Sequence, residues 1–119
     1  MMHLSLNNNE LEQWIHQTET GLTSSVRLAD GLTLSHQRIE NDPVIELLAE
    51  QHRFDQTWII QVLKRRYEYP VYFHACAPLC DLSGNWLLRC ALAGENTVAE
   101  GTQRLLELAG IDIQILFPR

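Results

Sequence analysis

The sequence predicts an α+β domain: a small antiparallel sheet with helices, in the order α-β-β-α-α-β-β-α-β. Residues 70–92 alternate in strand fashion about a polar turn, Asp81-Leu82-Ser83-Gly84-Asn85. From about Thr97 the apolar residues recur at helical spacing behind a capping box. An antiparallel hairpin that runs directly into an amphipathic helix lets the helix cover one face of the sheet. The 119 residues, 45% hydrophobic and 20% charged, are expected to form one domain spanning 1–119 with a core of its own.

Asn7, Asn8 and Asn9 offer N-cap side chains, and Leu11, Trp14, Ile15 and Thr18 then recur at helical spacing. A first helix is expected over about Asn9 to Thr18, stopped by Gly21. A hairpin follows. A two-residue Asp30-Gly31 turn would set Leu28 opposite Thr33 and put the apolar residues on opposite sides. A three-residue Ala29-Asp30-Gly31 loop with left-handed Gly31 pairs Leu28 with Leu32 and Val26 with Leu34, and that register is chosen.

Asp42-Pro43 reads as a cap followed by proline at the first helical position, predicting a short helix over Pro43 to about Gln51 that buries Val44, Leu47 and Leu48. Asp55 caps another, with Trp58, Ile59, Val62 and Leu63 as its apolar stripe. Lys64, Arg65 and Arg66 in its last turn complement the helix dipole.

In the central hairpin the first strand runs from Pro70 to Leu79 and the second from Trp86 to Leu92. Val71, Phe73 and Ala75 share one face, Tyr72, His74 and Cys76 the other, and Trp86, Leu88, Cys90 and Leu92 line one side of the return strand. Pro78 leaves the register open. If Cys80 faces Trp86, then Cys76 faces Cys90. The last helix begins at Thr97-Val98-Ala99-Glu100, buries Val98, Leu105, Leu108 and Ala109, and stops at Gly110. A half-buried strand, Ile111 to Phe117, is expected to end the chain.

The net charge of −6 argues against nucleic acid and anionic membranes as partners. Lys64, Arg65 and Arg66 beside Tyr67 and Tyr69 could grip phosphate and stack on bases, but a basic helix end explains them. No apolar run approaches the roughly 18 residues of a membrane span, and the N-terminus lacks the pattern of a signal peptide, so a cytoplasmic protein is expected. Three cysteines in such a chain favour reduced thiols over a disulfide framework.

His74, Cys76, Cys80 and Cys90 are the sharpest chemical constellation. They offer soft ligands to zinc, yet lack the tight Cys-x-x-Cys knuckle of structural sites. His74 could act as base to a Cys76 nucleophile, but no glycine-rich elbow accompanies the pair. A small metal-binding or cysteine-dependent enzyme using these four residues is therefore the alternative reading. The leading one assigns no catalytic residue, metal or cofactor.

The run Asp81-Leu82-Ser83-Gly84-Asn85-Trp86-Leu87-Leu88, continuing through Ala91 and Leu92 into Thr97 to Leu108, resembles the small acidic chaperones of bacterial type III secretion and their regulatory relatives. The likeness covers about the last third of the chain. It implies a dimer whose sheet and grooves hold an extended segment of a secreted protein, by strand addition or side-chain pockets. Two middle helices in place of the family's third strand and single helix, and the extra terminal strand, depart from that pattern.

Both faces of the central hairpin are largely apolar, so a second layer, a homodimer partner or a bound segment has to cover the face that one helix layer leaves. The two middle helices are the intramolecular alternative. The expected function is thus a non-catalytic protein-binding domain, a homodimer acting as a secretion chaperone or regulatory adaptor, with a transcriptional or quorum-type regulator overlapping it. Its expected partner-binding residues are Tyr72, His74, Trp86, Leu88 and Leu92.

Overall fold

A computed structural model describes residues 8–20, 24–92 and 97–111. The fold is α+β: three helices and a five-stranded antiparallel sheet. In chain order the elements are α1 (Asn8–Glu19), β1 (Ser24–Ala29), β2 (Leu32–Ile39), β3 (Asp42–Ala49), α2 (Gln56–Glu68), β4 (Cys76–Cys80), β5 (Trp86–Ala91) and α3 (Val98–Ala109). The sheet order is β1-β2-β3-β5-β4, because β5 folds back from the edge strand β4 to pair with β3. The expected Gly21 stop and Ile111 to Phe117 strand fall on residues outside those described, apart from Ile111, which is buried.

The predicted helix over Pro43 to Gln51 is instead the central strand β3. Glu40 and Asn41 both take positive φ, 52° and 72°, and connect Ile39 directly to its partner Asp42. Two left-handed central residues make the tight hairpin turn whose twist matches the strands it joins, so Asp42 begins a strand rather than capping a helix. Val44, Ile45, Glu46 and Leu47 are all buried, and a strand buried on both sides shows no alternation that would separate it from a helix.

In the first hairpin Val26 does pair with Leu34, and Gly31 is left-handed at φ 75°. Leu28, however, does not face Leu32. Ala29 does, and Leu28 is the extra residue of a bulge that restores the register. Both Leu28 and Ala29 are buried. The 70–79 strand is also shorter than expected: residues 70–75 form turns, and only Cys76–Cys80 pairs with β5.

Cross-strand pairing sorts the sheet into two faces. Leu34, Leu47 and Leu88 lie in one row, Leu32, Ala49 and Trp86 in the next, and His36, Ile45, Cys90 and Cys76 in the third. These residues join Leu11, Trp14 and Ile15 of α1, Ile59 and Val62 of α2, and Leu105, Leu106 and Leu108 of α3 around a single core. The three helices therefore share one side of the sheet. The opposite face carries Thr33, Leu48, Leu87 and Leu79 in one row and Ser35, Glu46, Arg89 and Ala77 in another. Among the described residues no helix packs on that face, so the second helix layer expected as the intramolecular alternative is absent there. No helix of the described residues is long and apolar enough to cross a membrane.

The caps predicted at Thr97, Gly110 and Asp55 are realised. Thr97 Oγ1 accepts from the Glu100 amide at 3.1 Å, Gly110 closes α3 at φ 83°, and Asp55 Oδ1 accepts from the Trp58 amide at 3.2 Å.

Candidate functional site

Helix α2 is fixed along its inner side. Ile59 and Val62 are buried, the Phe54 and Trp58 rings meet edge to face at 5.0 Å, and Trp58 Nε1 donates to the Ala109 carbonyl at 3.0 Å. Arg65 Nε donates to the Leu108 carbonyl at 2.9 Å. Two carbonyls at the C-terminal end of α3 are thus satisfied by side chains from α2. Partial burial lowers the Arg65 pKa, though a guanidinium stays charged. Arg66 Nε donates to the Cys76 carbonyl at 2.7 Å, tying α2 to β4 as well.

The outer side of α2 is also apolar. Ile60, Leu63 and Tyr67 recur at i, i+3 and i+7, and are 48%, 47% and 86% exposed. With Lys64 and Glu68 they line a shallow, open depression. At 3.6 residues per turn, Trp58 to Ile60 spans an apolar arc of about 200°, against roughly 100° for a helix that buries one side. Beyond α2, Tyr69, Val71 and Tyr72 add to the same segment. Six of the eight large exposed hydrophobic residues in the described structure lie between Ile60 and Tyr72, the others being Leu79 and Leu82. Single exposed apolar residues are ordinary, but a concentration of them on one element marks an interaction surface.

The residues expected to bind a partner are dispersed. Leu88 is fully buried, Leu92 is 8% exposed and Trp86 is half-buried, because the apolar side of β5 is the side roofed by the helices. They build the core, which corrects their expected place on an open face. Tyr72 and His74 lie in turns rather than on a strand. Tyr72 packs edge to face on Phe73 at 4.9 Å, with the Arg104 guanidinium 5.3 Å from its ring centre. His74 is exposed, its Nδ1 3.1 Å from the Val71 carbonyl oxygen. Only Tyr72 belongs to the exposed segment that continues from α2 and also packs toward α3.

The sequence signal for the α2 surface was present in the spacing of Ile60, Leu63 and Tyr67. Leu63 also falls at the spacing of Trp58, Ile59 and Val62, so the sequence predicts one apolar stripe for the four. Leu63 turns outward instead.

Strand addition at β4 has little backbone to use. The Ala91 amide donates to the Ala75 carbonyl at 3.1 Å and the Asp81 amide to the Asn85 carbonyl at 2.9 Å. These bonds bracket Cys76/Cys90 and Cys80/Trp86 as non-hydrogen-bonded pairs, so the backbone groups of Cys76, Pro78 and Cys80 point out from the sheet edge. The Cys76 amide is held by the Phe73 carbonyl, its carbonyl by Arg66, and Pro78 has no amide.

Of the registers that Pro78 leaves open, the structure has the one that sets Cys80 opposite Trp86. Cys76 faces Cys90, both fully buried, and Cys80 faces Trp86 in the exposed part of the strand. Cys90 Sγ donates to the Ala91 carbonyl at 3.7 Å. Interaction with the facing Cys76 thiol, with the field of Arg104, lowers the Cys90 pKa, while interaction with Cys90 and burial push Cys76 far above the ordinary thiol range. Among the described residues no group of three or more His, Cys, Asp or Glu side chains is placed to hold a metal ion.

No family model, curated protein or solved structure matches the chain. Its function is therefore read from the arrangement of its own residues, foremost the doubly apolar α2.

Proposed function

We propose that this chain is a non-catalytic protein-binding domain of the chaperone or adaptor kind, acting in the cytoplasm, that seats an apolar partner segment on the outer stripe of α2. The observation that carries the reading is the exposure of Ile60, Leu63 and Tyr67 on a helix whose adjoining side is already anchored in the core. Lys64 and Glu68 at the border supply both signs of charge for polar contacts at the rim. The hairpin-to-helix pattern that resembles type III secretion chaperones supports the same class of role. That the Cys76 backbone groups are already held and Pro78 has no amide supports docking on the helix rather than at the β4 edge. A second copy of the chain is a candidate occupant, since a helix stripe can bury itself against its own equivalent about a two-fold axis.

The test is site-specific photo-crosslinking in the cell with the full chain. A photo-reactive residue at position 67 is expected to give a discrete adduct, whose mass identifies a second copy or a different protein. The same residue at Glu12, exposed on α1, is expected to give none. Leu63→Asp should abolish the adduct at a cost of about 1–2 kcal/mol, for the buried half of the side chain and the poorer helix propensity of aspartate, with circular dichroism showing the fold retained. No adduct at position 67 above that at position 12 would overturn the proposal.

A further inference from the structure

The buried cysteines form a pair whose geometry is independent of the α2 surface. Cys76 and Cys90 occupy a non-hydrogen-bonded position of the β4–β5 ladder, bracketed by the 3.1 Å bond from the Ala91 amide to the Ala75 carbonyl. Facing Cα atoms come closest at such positions, about 4.5 Å apart, which lies within the roughly 4.4–6.8 Å window that a disulfide spans. Both side chains project to the helix-covered face and are fully buried. Above them α3 carries Gly101, where a Cβ would stand 3.6 Å from Cys90 Sγ.

The surroundings distinguish the two thiols. Interaction between the facing thiols, with Arg104 acting on both and Arg66 on Cys76, lowers the Cys90 pKa and raises that of Cys76, so Cys90 is the sulfur that ionises first. A thiolate with a protonated thiol beside it is the arrangement in which one sulfur attacks and the other resolves. Cys80 stands apart from the pair: it lies four residues from Cys76 on a strand, about 13 Å along it.

We propose that Cys76 and Cys90 are a redox-active dithiol, which a small hydroperoxide oxidises to a cross-strand disulfide. The Cys90 thiolate attacks the terminal oxygen of the hydroperoxide; the O–O bond breaks and the alcohol, or water from hydrogen peroxide, leaves with a proton. Cys90 becomes a sulfenic acid. The Cys76 sulfur then attacks Cys90 Sγ; the S–S bond forms, the S–O bond breaks, and hydroxide departs as water with the Cys76 proton. Two thiols are oxidised by two electrons and the peroxide is reduced by two. A dithiol reductant reverses the bond. Complete burial selects a small oxidant. The way in is local opening of β4, a five-residue strand that among the described residues is paired on one side only and is interrupted by Pro78.

The disulfide closes residues 76 to 90, a loop of about 15 residues, and fastens the edge strand to the sheet. The test uses the unaltered full chain. It is treated with a modest excess of hydrogen peroxide, denatured, alkylated and mapped by peptide mass spectrometry. The expected result is a Cys76–Cys90 linkage with Cys80 outside it, undone by dithiothreitol, together with a rise in Tm of at least about 5 °C. Cys80→Ser should oxidise in the same way, and Cys90→Ser should leave Cys76 open to alkylation. Recovery of Cys76 and Cys90 as alkylated thiols, as separate over-oxidised residues, or linked only through Cys80 would each overturn the proposal.

Discussion

Arg89 Nε donates to Glu46 Oε2 at 2.6 Å, joining β5 to β3 across the sheet face that carries no described helix. The two partners differ in surroundings: the Glu46 side chain is 7% exposed and that of Arg89 35%. Removing the more exposed member strands the more buried one, and a buried carboxylate without its partner is costly. Arg89→Met is expected to cost about 2–3 kcal/mol in urea unfolding. Adding Glu46→Leu in the same chain should recover most of it, since two apolar side chains suit a row beside Leu48 and Leu87. Strict additivity of the two substitutions would show that the ion pair has no coupling to stability.

The 81–85 turn sets the register of the β4–β5 hairpin through one side chain. Asp81 Oδ1 accepts from the Ser83 and Asn85 amides, each at 2.9 Å, and Gly84 takes φ 86°. Asn85 Oδ1 accepts in turn from the Gln51 amide at 3.1 Å, which ties the turn to the segment leading into α2. Asp81→Ala is expected to cost about 1–2 kcal/mol and to speed hydrogen exchange at the Ser83 and Asn85 amides. Asp81→Asn keeps an acceptor at Oδ1 and should lose less. Equal losses for the two variants would show that charge, rather than acceptor geometry, holds the turn.

That turn was legible in the sequence because its residues are the chemistry of the turn itself, and Thr97, Asp55 and Gly110 were legible for the same reason. The sequence leaves the register of this hairpin open at Pro78, and the structure sets Cys76 opposite Cys90. Pro43 misled because an Asp-Pro pair opens helices and strands alike, and the deciding feature was the left-handed Glu40-Asn41 turn just before it, where glutamate is an unusual occupant. Loop counting predicts Leu28 opposite Leu32, but the loop is the two-residue Asp30-Gly31, and the bulge at Leu28 is what keeps Val26 opposite Leu34. The docking surface was misassigned for a further reason: alternation shows which residues share a face of β5, but only the positions of α1, α2 and α3 decide which face is roofed. Leu88 and Leu92 went inside on that account.

Thr102 lies on the buried side of α3, and among the described residues its Oγ1 has no hydrogen-bond partner. A buried hydroxyl without a partner costs its lost hydration, whereas a methyl in the same place costs nothing of the kind. Thr102→Val keeps the β-branched shape and is expected to stabilise the fold by about 1 kcal/mol. Thr102→Ser keeps the hydroxyl, loses the methyl, and should destabilise by a similar amount. The opposite order in a denaturant series would mean that the hydroxyl is satisfied in solution.

Tyr72 carries the pH signature of the contact between α3 and the turn after α2. Burial, then the hydrogen bond to Glu107 and its negative charge, push the Tyr72 pKa up to about 12, with Arg104 opposing. The folded chain therefore keeps a proton that the unfolded chain, with an ordinary tyrosine pKa of about 10, gives up. The resulting stabilisation is fully present below pH 10 and is lost as pH rises from 10 to about 12. Tyr72→Phe should flatten that part of the stability profile. Glu107→Gln should bring the tyrosinate absorbance step of Tyr72 down toward the ordinary range, because it removes the negative charge and weakens the acceptor. Far-ultraviolet circular dichroism followed alongside separates titration from unfolding. A high-pH tyrosinate step that survives unchanged in Tyr72→Phe would place the perturbed phenol elsewhere and remove Glu107 as its cause.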